Sequence, residues 1–304
     1  MNAFPKMNDT FRPPELAVPT LLSLPERSRL AQGKRLTTPC GDGHVVWHAW
    51  GERRADAVPV VLFHGGSGSW THWVRNILPL VDEGRWVLAA DLPGFGDSSP
   101  PEDGRDADAM IEPLAAGLRQ LVPGEAIDLV GFSFGGMTAG MLLAAHPELA
   151  QRLVVVGAPA MGVTTKPQFE LKAWRHLRTA QEQTEIHRHN LGILMLHDRD
   201  LIDGLALEIH IENVHRDRLP RRRVSRTDIL ARSLPKLTCP VHAIYGAYDV
   251  LYRGHLPELE TALAISARDF RGLTLIKDAG HWVQFEASEA FNTTLSQVLK
   301  SPLS

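Results

Sequence analysis

Short apolar runs of the β type recur along the chain, and after the first pair most of them are separated by stretches with a helical pattern. This alternation predicts an α/β fold, in which a mainly parallel sheet of eight strands carries helices on both faces. The first two runs flank the turn Gly41-Asp42-Gly43 and are expected to pair as an antiparallel hairpin. The predicted strands are 35–39, 45–50, 58–63, 85–90, 126–130, 152–156, 241–245 and 273–276.

The pattern changes between Pro159 and Pro235. Solid apolar runs give way there to amphipathic, charge-rich helical segments, which indicates an inserted helical cap. The predicted division is an N-terminal arm (1–28), an α/β core (29–159 and 236–304) and a helical cap (160–235). A basic run inside the cap, Arg221-Arg222-Arg223, is typical of a solvated helix end or loop.

Composition places the chain among ordinary globular proteins. Of its 304 residues 44% are hydrophobic and 22% charged, and the formal net charge of -3 gives no basis for binding nucleic acid. Cys40 and Cys239 form no C-x-x-C pair, so neither a disulfide nor a zinc site is predicted, and a reducing cytoplasm fits best. The first 25 residues are rich in proline and charge, which predicts a loose arm and neither a signal peptide nor a membrane span. Whether the chain forms a homo-oligomer stays open on the sequence alone.

The strongest chemical signal is Gly131-Phe132-Ser133-Phe134-Gly135, which matches G-x-S-x-G. It follows the apolar run 127–130 and precedes a helical stretch, the context that a nucleophile elbow requires. The strained turn leaves no room for side chains two residues before and two residues after the nucleophile, which explains the glycines there. The segment therefore predicts Ser133 as the nucleophile of a hydrolase, against the alternative of a glycine-rich turn with an incidental serine.

A serine nucleophile needs a base within hydrogen-bonding reach and a third group that orients the base. In chains with this elbow the order is serine, then acid, then histidine. His281 directly follows the last predicted strand and Asp249 follows the strand before it, so both lie at the same sheet edge as Ser133. We predict His281 as the general base and Asp249 as the acid that orients it.

Most of the 14 histidines are expected to be structural or solvent-facing. His187 and His189 are two positions apart on a predicted helix, so their rings point in different directions and no metal site is predicted. Among the acids, Asp278 stands too close to His281 in the chain to reach behind its ring. Asp249 is therefore the favoured acid.

Acyl transfer also requires backbone N–H groups directed at the developing oxyanion. One is assigned to Phe134, the residue after Ser133. The second is assigned to Gly66, in the glycine-rich loop after strand 58–63, with Ser67 as the adjacent possibility. His64 is expected to support this loop by hydrogen bonding.

The same loop permits another interpretation of the fold. Gly66-Ser67-Gly68 follows a strand and Asp91 ends the next one, which imitates a dinucleotide-binding fingerprint and would indicate an NAD-binding oxidoreductase. Residues 69–71 occupy the place of the third glycine, so the fingerprint is incomplete. A non-catalytic ligand-binding module is a further alternative, although such a module would normally have lost a triad residue, and here all three are present.

Four segments together resemble the α/β-hydrolase superfamily: His64-Gly65-Gly66, the stretch from Asp91 to Ser98, the serine elbow and Gly280-His281. Within that superfamily, the segments 280–286, 291–292 and 73–77 resemble the meta-cleavage product hydrolases, which break a carbon–carbon bond in ring-fission products of aromatic compounds. The resemblance implies a helical cap over the site, no cofactor, and water as the second substrate beside a small molecule. It also implies that Trp282 lines the substrate pocket, the alternative being a core aromatic.

Two positions depart from that group. Phe132 precedes the nucleophile where those hydrolases usually carry an asparagine, which removes a polar contact. His210 stands where they use a cap arginine for the substrate carboxylate, and a histidine is only partly charged and makes no bidentate contact. Arg216 is a nearby arginine that could compensate.

The candidate substrate-binding residues are Ser67, Phe132, His210 and Trp282. The C-terminal segment 280–286 favours carbon–carbon cleavage, whereas Phe132 and His210 favour ester hydrolysis. Both reactions stay open on the sequence alone.

Overall fold

The computed structural model describes residues 16–164, 169–219 and 221–303. These residues form one eight-stranded sheet with helices on both faces. Residues 1–15, which make up most of the predicted arm, lie outside the described part. The strands are β1 (Lys34–Cys40), β2 (Gly43–Trp50), β3 (Val60–Phe63), β4 (Val87–Asp91), β5 (Ile127–Phe132), β6 (Ala150–Val156), β7 (Val241–Gly246) and β8 (Phe270–Ile276).

The spatial order of the strands is β1-β2-β4-β3-β5-β6-β7-β8. The pairs β1/β2 and β2/β4 are antiparallel and all other pairs are parallel, which confirms the predicted hairpin and the mainly parallel sheet. The third strand begins at Val60 and not at 58, because Pro59 has no N–H to donate, although its carbonyl accepts the N–H of Asp128 at 3.0 Å.

Helices cover the sheet on its two faces, and the side chains of each buried strand alternate between them. In β3, Val61 and Phe63 belong to one core cluster, and Val60 and Leu62 belong to the other. The helices are α1 (Leu24–Leu30), α2 (Ile77–Asp82), α3 (Ile111–Leu121), α4 (Phe134–Ala145), α5 (Ala180–Leu194), α6 (Leu205–His215), α7 (Ile229–Ser233), α8 (Leu256–Ser266), α9 (Val283–Glu286) and α10 (Ser288–Lys300). None of these described helices combines the length and apolar character needed to cross a membrane.

The chain between β6 and β7, here called the insertion, carries α5, α6 and α7. Helix α5 begins at a capping box in which Thr179 and Glu182 satisfy each other's backbone N–H groups. Asn213 on α6 accepts a hydrogen bond from Ser69 at 2.7 Å, and its amide donates to Thr71 at 3.0 Å. These contacts hold the insertion against the loop that follows β3. The exact limits of a cap domain, predicted as 160–235, stay a prediction.

The described end of the arm is more ordered than the sequence interpretation expected. Ser23 and Glu26 form a capping box at the start of α1, and Trp50 Nε1 donates to the carbonyl of Leu30 at 2.8 Å. The S-x-x-E spacing with a proline in the first turn is a helix-start signal that the composition of the arm obscured.

Candidate active site

The serine elbow has the backbone conformation that its glycines predict. Ser133 joins β5 to α4 with φ of 50°, a value that is unusual for a residue with a side chain. A Cβ on Gly131 would lie 2.6 Å from the carbonyl oxygen of Gly135, and one on Gly135 would lie 2.4 Å from that of His64. The two glycines therefore permit the tight turn that exposes Ser133 at the edge of the sheet.

The structure brings the three predicted triad residues together at this edge. His281 Nε2 lies 2.9 Å from Ser133 Oγ, and His281 Nδ1 lies 3.0 Å from both carboxylate oxygens of Asp249. Because a carboxylate only accepts, Nδ1 carries the hydrogen and Nε2 is free to accept the serine hydroxyl proton. Asp249 and His281 are 1% and 2% exposed, so water competes little for these hydrogen bonds.

A glycine at the end of β6 makes room for the acid–histidine pair. Gly157 has φ of 54°, and a Cβ there would lie 3.1 Å from Asp249 Oδ2 and 3.2 Å from His281 Cε1. The chain segments that follow β6, β7 and β8 thus approach one another here, and Asp249 and His281 are the nearest neighbours of a Cβ on Gly157.

The glycine-rich loop after β3 is supported by buried histidines. His64 accepts the N–H of Leu92 on Nε2 at 2.9 Å and contacts the carbonyl of Gly65 from Nδ1 at 2.7 Å. The N–H of Gly65 donates to His72 Nδ1 at 3.2 Å. Burial lowers the pKa of His64 to about 4, so its ring is neutral near pH 7 and the hydrogen on Nδ1 fixes this arrangement. The role expected for His64 agrees with these contacts.

The two residues predicted to bind an oxyanion border the same cavity as Ser133. The N–H of Phe134 is in the first turn of α4, where backbone donors have no intrahelical acceptor. In the part of the chain that the structure describes, neither this N–H nor that of Gly66 donates to a protein acceptor. Both donors are therefore available to a ligand, and their assignment to an oxyanion stays a prediction.

A cavity of about 650 Å³, here called the main cavity, opens above Ser133. Apolar side chains from the insertion and from the loop after β7 form much of its wall. Its lining includes Gly66, Ser67, Phe132, Ser133, Phe134, Met195, Arg222, Ser225 and His281. A cavity of this size and lining suits a small, mostly apolar ligand.

Two of the four predicted substrate-binding residues line the main cavity. The hydroxyl of Ser67 donates to Asp217 Oδ2 at 2.5 Å, and its φ of 50° places it in a tight turn of the loop. Phe132 is buried, with its ring centroid 5.0 Å from that of His281. It presents an apolar surface where an asparagine would present an amide.

The other two predicted residues do not line the main cavity as the structure describes it. Trp282 is fully buried, donates from Nε1 to the carbonyl of His72 at 3.0 Å, and stacks on Phe285 with centroids 4.2 Å apart. Its placement is that of a core aromatic, contrary to the expectation from the resemblance. His210 lies on the inward side of α6 and lines a second, smaller cavity. Burial lowers its pKa to about 3, so it supplies no positive charge near pH 7.

The exposed Arg226 and the less exposed Arg222 both bring positive charge to the main cavity, and Arg222 belongs to the basic run that the sequence predicts to be solvated. Its side chain is 14% exposed, and Nη1 donates to both oxygens of Asp217 at 2.9 Å. Its guanidinium lies over the ring of Phe134, with Cζ 5.3 Å from the centroid. The expectation for Arg222 is therefore wrong, and so is the suggestion that Arg216 compensates, because Arg216 pairs with Asp97 and Glu212 and does not line the described cavity.

The structure also argues against the dinucleotide interpretation. The Gly66-Ser67-Gly68 loop leads into a 3₁₀ turn, Trp70–Trp73, and not into a helix whose N-terminus could hold a pyrophosphate. Asp91 is buried and accepts the N–H groups of Trp70 and Asp97 at 2.9 and 2.8 Å, which commits its carboxylate to the fold.

One group of possible metal ligands occurs in the described residues, formed by His48, Asp91 and Asp97. His48 Nε2 lies 3.4 Å from Asp91 Oδ2, the same oxygen that accepts the N–H of Asp97. Asp91 also accepts the N–H groups of Trp70 and Asp97, so both of its carboxylate oxygens have hydrogen-bond partners without an ion.

Comparison with known proteins gives the same class as the fold and the site. A family model described as the alpha/beta hydrolase fold matches residues 58–197. The 2-hydroxymuconate semialdehyde hydrolase of Pseudomonas sp. (strain CF600) is 28% identical over 79% of this chain and 86% of its own length. A 2-hydroxy-6-oxononadienedioate/2-hydroxy-6-oxononatrienedioate hydrolase of Escherichia coli (strain K12) is 28% identical over 80% of this chain and 87% of its own.

Solved structures agree on the fold. Carboxylesterase CesB (YbfK) from Bacillus subtilis matches with a TM-score of 0.74 and 19% identity, over 91% of this chain and 95% of that one. Esterase RhEst1 from Rhodococcus sp. ECU1013 matches with a TM-score of 0.70 and 20% identity, over 90% and 99%. The chain has the fold of the α/β hydrolases. Within them, the resemblance to meta-cleavage product hydrolases is confirmed by the two curated relatives.

Proposed function

We propose that the protein is a serine hydrolase of small, largely apolar carbonyl compounds that needs no cofactor. The observation that carries the proposal is the contact of 2.9 Å between Ser133 Oγ and His281 Nε2, with Asp249 on the other side of the imidazole. Ser133 is the nucleophile, His281 the general base and Asp249 the acid that orients His281.

The geometry supports a covalent mechanism in two stages. Ser133 Oγ attacks the substrate carbonyl carbon while His281 Nε2 takes the hydroxyl proton, and the N–H groups of Gly66 and Phe134 stabilise the oxyanion. Collapse of the intermediate transfers the proton from His281 to the leaving group and leaves an acyl-enzyme. Water, deprotonated by His281, then attacks the acyl carbon, and Ser133 departs with its proton restored.

The first candidate reaction is hydrolysis of a carbon–carbon bond next to a ketone, as in meta-cleavage products. The names of the curated relatives support it. Arg222 supports it too, because a guanidinium beside the main cavity suits a substrate that carries a carboxylate. In this reaction the leaving carbon accepts the proton from His281.

The second candidate is ester hydrolysis without carbon–carbon activity. Phe132 favours it, since an apolar ring next to the nucleophile cannot hydrogen-bond to a polar, charged substrate. The charge of Arg222 is also largely matched by its two hydrogen bonds to Asp217. For either reaction we propose that the insertion acts as a cap over the substrate, that water is the second substrate, and that the protein works in the cytoplasm.

A fluorophosphonate probe tests the nucleophile directly. We expect covalent labelling of the wild-type protein, loss of labelling in Ser133→Ala, and retained labelling in Ser225→Ala, which changes another serine of the same cavity. Intact-mass spectrometry measures the adduct. Equal labelling of Ser133→Ala, or no labelling of the wild type, contradicts the proposal.

Two substrates separate the candidate reactions. The turnover of a short-chain nitrophenyl ester is compared with the bleaching of a yellow vinylogous diketone acid of the meta-cleavage type, both followed by absorbance. A higher kcat/KM for the diketone acid supports carbon–carbon hydrolysis. Turnover of the ester alone assigns the protein to the esterases.

A further inference from the structure

A second cavity of about 210 Å³, here called the side cavity, adjoins the main cavity. It lies between the insertion and the loop after β3. The residues that border both cavities are Gly66, Ser67, Leu171, Leu194 and Met195. A ligand held over Ser133 can therefore extend one of its groups into the side cavity.

Four planar rings contribute to the side cavity's wall, and they belong to His72, Trp174, His187 and His210. The Trp174 and His187 centroids are 4.7 Å apart, and those of His187 and His210 are 5.6 Å apart with the rings nearly perpendicular. His72 lines the side cavity from the core. Such walls favour an aromatic group, because rings pack well in stacked and edge-to-face arrangements.

The side cavity contains an unsatisfied polar side chain. His187 is 1% exposed, and neither of its ring nitrogens has a hydrogen-bond partner among the residues that the structure describes. Burying a polar group without a partner is unfavourable, so such a group usually has a ligand or water to bind. Two other polar side chains of the wall already have partners, since Asn190 exchanges two hydrogen bonds with the backbone of Lys172 and Asp217 pairs with Arg222.

The electrostatics of the side cavity define the polar group that it suits. Burial lowers the pKa of His187 to about 4 and that of His210 to about 3, so both rings are neutral near pH 7. A neutral imidazole offers one N–H donor and one acceptor nitrogen. Its natural complement is a hydroxyl group, which also donates one hydrogen bond and accepts others.

We propose that the side cavity binds an aromatic ring with a hydroxyl group, held by packing against the rings of the wall and by a hydrogen bond to His187. The volume fits, because a cavity of about 150 Å³ accommodates benzene. The claim that this phenolic ring is part of the substrate rests on the proposed function. The binding of a phenol does not depend on catalysis.

Calorimetric titration of phenol and toluene into Ser133→Ala tests the binding without turnover. We expect phenol to bind about tenfold more tightly than toluene, as one neutral hydrogen bond provides. Adding His187→Phe should abolish this preference, and adding His187→Gln should keep part of it. The matched control is His189→Phe on the same helix, which is not among the described residues of the side cavity and should keep the full preference. An unchanged preference in the His187→Phe background overturns the proposal.

A spectroscopic measurement covers the case in which His187→Phe does not fold. Phenol should change the imidazole ¹⁵N shifts of His187 in the wild-type protein, and unchanged shifts overturn the proposal.

A comparison of two esters connects the side cavity to turnover: one of 3-(4-hydroxyphenyl)propionate and one of 3-phenylpropionate. If phenol binds but no ester or ketone is hydrolysed, the proposed function is wrong and the proposal that the side cavity binds a phenol is supported. Hydrolysis without a hydroxyl preference means that the phenolic substrate is wrong.

Discussion

Arg222 Nη2 donates to the hydroxyl of Ser67 across 3.2 Å, and this contact joins the insertion to the loop that carries Gly66. A Cβ on Gly66 would lie 3.3 Å from the same Arg222 nitrogen, so the glycine also permits the close approach of the guanidinium. One charged side chain thus lies beside a predicted oxyanion donor and at the wall of the main cavity. This position makes Arg222 the residue most suited to distinguish charged from neutral substrates.

Arg222→Met should raise KM for a carboxylate substrate by about tenfold to hundredfold, because a hydrogen bond between charged groups is lost. KM for the methyl ester of the same substrate should change much less. Steady-state kinetics on the acid and ester pair measure the effect, with Arg223→Met as the control for a neighbouring, exposed arginine. A urea titration verifies that the variant is folded, since the change leaves the buried Asp217 without its partner. Equal losses for acid and ester would show that Arg222 acts only by supporting the loop.

The places of the three proposed triad residues could be predicted from the sequence because the order of the strands determines them. Ser133, Asp249 and His281 each follow a short apolar strand, and the carboxyl ends of parallel strands share one edge of a sheet. The glycines of the elbow have an equally local cause, since their side chains would meet backbone atoms only a few residues away or on the adjacent strand. Local pattern and strand order were sufficient to place these residues.

The lining of the cavities was not predictable in the same way. Arg222 belongs to a basic run that is typical of a surface, and its half-buried position includes a hydrogen bond to Ser67, which is 155 residues away in the chain. Neither Trp282 nor His210 lines the described main cavity, because the place of each side chain is decided by its packing against other rings. A single sequence carries no signal for such long-range contacts.

Gly157→Ala should reduce kcat by about tenfold or more, because the added methyl group would press on Asp249 and His281 and a misplaced catalytic group is costly. Gly84→Ala is a matched control, since Gly84 has φ of 81° and open space around a Cβ. Both variants should lose about 1 kcal/mol of unfolding free energy from backbone strain. Activity assays and urea titrations separate the two effects. A similar loss of kcat in both variants would mean that reduced stability causes the loss, and not a displacement of Asp249 and His281.

The stability of the protein should fall as the pH falls from about 6.5 towards 4. Burial lowers the pKa of His64 and of His187 to about 4 in the folded protein, whereas an exposed histidine titrates at about 6.5. In this window the unfolded chain binds more protons, so the contribution of each histidine is complete above pH 6.5 and is lost on acidification. Urea titrations from pH 7 to 4.5 measure the decline. The free energy of unfolding should decline less steeply with falling pH in His187→Gln than in His189→Gln. Equal declines in the two variants would contradict the contribution of His187.

Glu286 connects the loop of His281 to the insertion. Its carboxylate accepts the N–H of Gly280 at 2.6 Å and that of Asp198 at 2.5 Å. Glu286 lies six residues beyond Gly280 in the chain and is half-buried. Because its carboxylate accepts two backbone N–H groups, it holds both segments in place. Glu286 does not line the main cavity in the described part of the chain, so we expect its effect on kcat to act through the position of His281.

Glu286→Gln should therefore lower kcat by about tenfold and leave KM nearly unchanged, because the amide keeps one acceptor and opposes the second N–H with a donor. The rate of fluorophosphonate labelling should fall in parallel with kcat, since both depend on the activation of Ser133 by His281. Glu289→Gln, an exposed change on α10, is the matched control and should alter neither quantity. A rise in KM with unchanged kcat would contradict this prediction. The unchanged kcat would mean that the contact between His281 and Ser133 is unaffected, and the raised KM would mean that Glu286 acts through the insertion and its contacts with the substrate.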